Sequence, residues 1–144
     1  MKLSYAITVC DEFVEIQKLI PFLLKHKRHE DEIVVLYDSK NGSKSIETFL
    51  RAKSINGEFS CSGDYIFQID ADEMPTTYML DMIPEVLTHN DIDILKVPRI
   101  NTVEGLTQEH IEKWQWGVND LGWVNFPDFQ WRIYKNNNSI KWVN

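Results

Sequence analysis

Ile33-Val34-Val35-Leu36 is an unbroken apolar run that ends in Tyr37 and Asp38. A strand lying on a solvated surface alternates apolar and polar residues, whereas an unbroken run of this kind suits a strand buried on both faces of a parallel sheet. Leu3 to Cys10 and Tyr65 to Ile69 read as two further strands, and Asp93 to Val97 as a fourth. Helical spacing fills the gaps. Phe13, Ile16, Leu19, Ile20, Leu23 and Leu24 recur as one helix face between Glu12 and about Lys27, with Pro21 a point of bending. Ser45 to Lys53 and Thr76 or Thr77 to about His89 read as two more helices, the last capped by one of its threonines. Strands alternating with helices predict an α/β fold with a mostly parallel sheet in three layers. Phe129 to Lys135 and Ile140 to Val143, around Asn136-Asn137-Asn138, add a small antiparallel part at the C-terminal end.

The chain has 144 residues, which predicts one domain over 1–144. Its net charge of -7 argues against a general nucleic-acid partner. The basic run His26-Lys27-Arg28-His29 suits a helix C-terminus. Cys10 and Cys61 lack CxxC spacing, so neither a disulfide framework nor a zinc site is expected. Asp11 and Glu12 interrupt the first apolar run before it can serve as a signal peptide, and no run approaches membrane-spanning length. A cytoplasmic protein without a transmembrane segment is the expectation.

Chemistry concentrates at strand ends. Asp70, Asp72 and Glu73 follow the third strand directly, and Pro75 stops it. Three acids within four residues repel one another unless a cation or a positively charged partner lies between them. Hard oxygen ligands of this kind suit Mg²⁺ or Mn²⁺, ions that usually also hold substrate phosphates. Asp11 and Glu12 follow the first strand and Asp38 the second. Each also has a structural reading: the first pair favours a helix N-terminus, and Asp38 opens an Asx-type turn.

Taken in order, strand–Asp11-Glu12, strand–Asp38, Gly63-Asp64-Tyr65-Ile66-x-x-x-Asp70-Ala71-Asp72-Glu73 and Phe126-Pro127-Asp128-x-Gln130-x-Arg132 resemble the family 2 glycosyltransferases of GT-A fold. The last segment is similar to the branch that includes lipopolysaccharide core glycosyltransferases. The resemblance implies a nucleotide-binding part over about 1–100 and an acceptor-side part over about 101–144. It implies a metal-dependent, inverting transfer of a sugar from a nucleoside-diphosphate donor, with UDP-sugar favoured, to a glycan or lipid-linked acceptor. Asp11, Glu12, Asp38 and Asp70 would contact the nucleotide, and Asp72 with Asp70 would hold Mn²⁺ or Mg²⁺. Asp128 would be the catalytic base, with Glu109 and Asp120 behind it, and Arg132 would neutralise phosphate or orient Asp128.

Two features depart from the family pattern. The interval from Asp38 to Asp70 is short by roughly one βα unit. The sequence also stops at Asn144, before the histidine-bearing segment that ordinarily follows and helps bind the metal. These departures predict a compact or truncated member, and they keep open a degenerate, non-catalytic domain that binds a nucleotide or a partner. Haloacid-dehalogenase phosphatases also carry paired aspartates after a strand, but they want Thr or Val where Met74 stands, and their motif lies on the first strand.

Overall fold

The computed structural model describes residues 1–53 and 61–140. Among them are five strands and four helices in the order β1 (Leu3–Val9), α1 (Phe13–His26), β2 (Glu32–Tyr37), α2 (Lys44–Ala52), β3 (Tyr65–Asp70), α3 (Thr77–His89), β4 (Ile94–Asn101), α4 (Gln108–Trp114) and β5 (Val124–Lys135). The strands form one sheet in the order β2-β1-β3-β5-β4. β1 pairs in parallel with β2 and with β3, and β5 runs antiparallel to β3. The protein is therefore mixed α/β with a mostly parallel sheet.

The chain divides into two compact units, residues 1–94 with 132–144, and residues 95–131. The first unit carries nearly all the buried apolar side chains. β1 is its central strand, with Leu3, Tyr5, Ala6, Ile7 and Val9 buried. Ile16, Leu19, Ile20 and Leu23 bury one face of α1, Ile46 and Leu50 that of α2, and Leu80, Ile83 and Leu87 that of α3. This is the helical spacing expected from the sequence. Ser43 caps α2 by accepting the Ile46 N–H, and Thr76 caps α3 by accepting the Met79 N–H.

β2 departs from expectation. Among the described residues it stands at the end of the strand order and pairs with β1 alone, and Leu36 is 40 % exposed. A continuous apolar run shows that a strand lies against a core, but it does not reveal how many strand neighbours it has.

The second unit holds β4, α4 and residues 124–131 of β5. β4 runs on to Asn101 and β5 begins at Val124, so both are longer than their apolar runs suggested and each contains a proline, Pro98 and Pro127. α4 has no buried residue, which is why hydrophobic spacing does not reveal it. Its signal is local: Thr107 accepts the His110 N–H, and the Thr107 N–H donates to His110 Nδ1. The expected strand over 140–143 lies outside the described residues, as does most of the expected loop over 56–63.

Candidate functional site: the acidic rim of the parallel strands

The order β2-β1-β3 means that the chain leaves β1 to one side for β2 and then passes to the other side for β3. The reversal falls between β1 and β3. In open α/β sheets a ligand binds in the crevice beyond the carboxyl ends of the strands at such a reversal. Cys10-Asp11-Glu12 leave the carboxyl end of β1, Asp38 that of β2, and Asp70 to Glu73 that of β3. Register aligns these ends, with Val9 opposite Tyr37 and Thr8 opposite Asp70. Tertiary structure thus brings Asp11, Glu12, Asp38, Asp70 and Asp72 to one edge of the first unit.

Each acid is held differently. Glu12 Oε2 accepts the Cys10 N–H at 2.9 Å and the Asp11 N–H at 3.2 Å. These backbone donors, Cys10 foremost, hold its carboxyl below the usual range, while Asp70 pushes in the opposite direction. Asp38 Oδ1 accepts the N–H groups of Lys40 and Asn41, and Oδ2 accepts the Asn41 side-chain amide at 2.9 Å. Asn41 and Lys40 thereby lower the Asp38 pKa. The Asx turn read from the sequence is present, and Oδ2, which accepts one hydrogen bond where Oδ1 accepts two, keeps a second lone pair for a ligand.

The turn from Asp38 folds back on the end of β1, with the Asp38 N–H donating to Val9 O at 3.1 Å and the Gly42 N–H to Asp38 O at 2.7 Å. Gly42 is required by this approach. A Cβ there would lie 2.2 Å from the Tyr37 ring and 2.6 Å from Cys10 O. Burial, then the carboxylates of Asp38, Asp11 and Glu12, push the Cys10 thiol up.

At the end of β3 the repulsion expected among three carboxylates is relieved from within the protein. One terminal nitrogen of Arg132 lies 2.8 Å from Asp70 Oδ2 and 2.5 Å from Glu73 Oε1. Its side chain is only 11 % exposed. Glu73 Oε2 also accepts the Asp70 N–H at 3.1 Å. Asp70 and Glu73 in turn raise the Arg132 pKa against its burial. Asp72 is exposed on the turn and has no hydrogen bond or ion pair to another described residue.

This donor set can be tested against a divalent ion. Among the described residues no group of three or more candidate ligands converges on a metal position, and two of the three turn carboxylates are held by a guanidinium. The set therefore does not suit an ion caged by protein alone. It does suit an ion shared with a diphosphate, since Mg²⁺ usually takes one or two carboxylates, several waters and substrate phosphates.

Asp128 belongs to the second unit and sits in its own network. Oδ2 accepts Arg99 Nε at 3.0 Å, Arg99 Nη2 at 2.8 Å and the Asn101 amide at 3.0 Å, while Oδ1 accepts the Gln130 amide at 2.6 Å. Asn101, Arg99 and Gln130 hold its carboxyl below the usual range. The guanidinium that orients Asp128 is therefore Arg99, whereas Arg132 binds Asp70 and Glu73. Nothing in the local sequence marks Arg99. Its position inside β4, two residues from Asn101, is the only signal, and it becomes legible only once β4 is known to extend that far.

No protein-family model matches this chain, and none of the curated proteins does. No helix among the described residues is long and apolar enough to cross a membrane.

Proposed function

We propose that this chain is a nucleoside-diphosphate-sugar transferase domain of the three-layer GT-A kind, taking its donor across the carboxyl ends of β1, β2 and β3. The observation that carries the reading is the coincidence of Asp11-Glu12, Asp38 and Asp70-Asp72 at the sheet reversal. An isolated acidic pair would carry little weight; three strand ends converging on the crevice where such sheets bind ligands carry considerably more.

In this reading the free lone pair of Asp38 Oδ2 accepts from the base or a ribose hydroxyl. Asp72 and Asp70 would be the residues that hold Mn²⁺ or Mg²⁺, and the ion would supply charge stabilisation for the leaving diphosphate. Inverting transfer is a single displacement. The acceptor oxygen forms a bond to the anomeric carbon as the bond to the diphosphate breaks, the electron pair leaves with the diphosphate, and the acceptor proton passes to a carboxylate. Asp128 is the carboxylate that the family resemblance assigns to that task. Donor sugar and acceptor, a glycan or a lipid-linked hydroxyl, are proposals of the same standing.

One observation favours the second reading, a non-catalytic nucleotide-binding domain. A general base works best with its pKa near the working pH, and Asp128 is held below the carboxylate range by four hydrogen bonds. Thermal denaturation with UDP or GDP, with and without Mn²⁺, tests both readings. Ligand at a hundredfold its Kd stabilises by about 2.7 kcal/mol, a rise of several degrees for a chain of this size. Asp72→Ala, at an exposed position, should keep the unliganded melting temperature and lose most of the rise. No shift with any nucleoside diphosphate would refute both readings, and a shift without any UDP-sugar turnover would select the second.

A further inference from the structure

We infer that Arg132 is the resident cation of the Asp70–Glu73 turn and excludes a bare divalent ion from it, so that a metal enters only in company with a diphosphate. The diphosphate clause rests on the donor reading above; the exclusion rests on the geometry. A single guanidinium nitrogen is shared between Asp70 Oδ2 and Glu73 Oε1. The arginine is buried against the turn, while Asp70 remains 44 % exposed on its other side. The placement follows from the sheet. β5 pairs with β3 so that Ile133 lies opposite Phe67. Arg132 is the residue of β5 next to that pair, and its guanidinium reaches Asp70 at the end of β3. The cation is thus delivered by a strand rather than by a loop.

An incoming divalent ion meets two obstacles. Two of the three carboxylates are already charge-paired, and a unit positive charge lies within a few ångströms of any position that Asp70 and Asp72 could share. A diphosphate removes both. It adds oxygen ligands and negative charge around the ion, and it offers the guanidinium the bidentate partner that arginine favours. Arg132 is accordingly a positioning residue that sets the order of binding.

The test reads Mn²⁺ alone, by the loss of its free-ion electron paramagnetic resonance signal on titration with protein. Wild type should bind Mn²⁺ weakly. Arg132→Met should bind it at least about tenfold more tightly, the scale of removing one unit charge at this distance in a half-exposed site. Arg132→Lys keeps the charge and should stay close to wild type, which a merely structural role would not require. Equal Mn²⁺ affinity in wild type and Arg132→Met overturns the inference. Should Arg132→Met not fold, ¹⁵N spectra of the arginine side chains in wild type decide it: Mg²⁺ alone should leave the Arg132 signal in place and Mg²⁺ with UDP should move it. Movement with Mg²⁺ alone overturns the exclusion. Tighter Mn²⁺ binding in Arg132→Met, combined with a wild type that UDP fails to load with metal, would sink the donor reading and leave the exclusion standing.

Discussion

Acid should unfold this protein through Glu32. Its carboxylate ties together the beginnings of three strands: Oε1 accepts the Ser4 hydroxyl and the Ser62 N–H, both at 2.6 Å, and Oε2 accepts Lys2 Nζ at 2.7 Å and the Ser62 hydroxyl at 2.8 Å. Partial burial works to raise its pKa, but Lys2, Ser4 and Ser62 outweigh it and bring the value down from 4.5 to about 2. A depressed carboxyl stabilises the folded state fully above its unfolded pKa, and the stabilisation is lost as pH falls toward the folded value. The shift of about 2.5 units, at 1.36 kcal/mol each, corresponds to about 3 kcal/mol. Glu32 is 25 % exposed and its Lys2 partner 35 %, so solvent screening makes this figure an upper bound. Glu32→Gln keeps the shape, loses the charge, and turns an amide donor toward Lys2 or a serine.

Urea denaturation of wild type and Glu32→Gln at a series of pH values isolates the effect. At pH 7 the variant should be less stable by up to about 3 kcal/mol, equivalent to at most roughly 10 °C in melting temperature. The gap should begin to close below pH 4.5 and narrow steadily toward pH 2. A gap that is small at pH 7, or one that stays constant with pH, would refute the reasoning, because either result would mean that the network is not stabilised by the ionised carboxylate.

Two other substitutions probe the rim and the second unit. Gly42→Ala places a Cβ 2.2 Å from the Tyr37 ring and 2.5 Å from the Asp38 carbonyl. Backbone cannot swing aside, so the variant should lose about 1–3 kcal/mol in urea titration; a loss below about 0.5 kcal/mol would show that the turn relaxes freely. Asp128→Asn keeps the amide-sized side chain but removes the proton acceptor. If Asp128 is the base, sugar transfer should fall by about 10²–10⁴-fold while UDP-induced thermal stabilisation is unchanged. Unchanged transfer would remove Asp128 from the chemistry.

Much of this protein is legible in its residues taken locally. The period of Phe13, Ile16, Ile20 and Leu23 dictates α1, and Thr76 or Thr77 announces the start of α3, because capping and amphipathic spacing act over a few positions. The acids after β1, β2 and β3 are likewise visible as strand-end residues. The sequence alone also showed that Asp70, Asp72 and Glu73 need a positive partner. It could not show which one. Arg132 is 62 positions from Asp70 and Arg99 is 29 from Asp128, and such pairs are set by strand order and register, which depend on the whole core. For the same reason β2, whose apolar run suited burial on both faces, leaves Leu36 exposed. Tertiary structure decided the partners of Asp70, Glu73 and Asp128, because the spacing of Asp70 and Glu73, three positions apart, is set by the local chain, whereas the cation between them arrives on a strand from elsewhere.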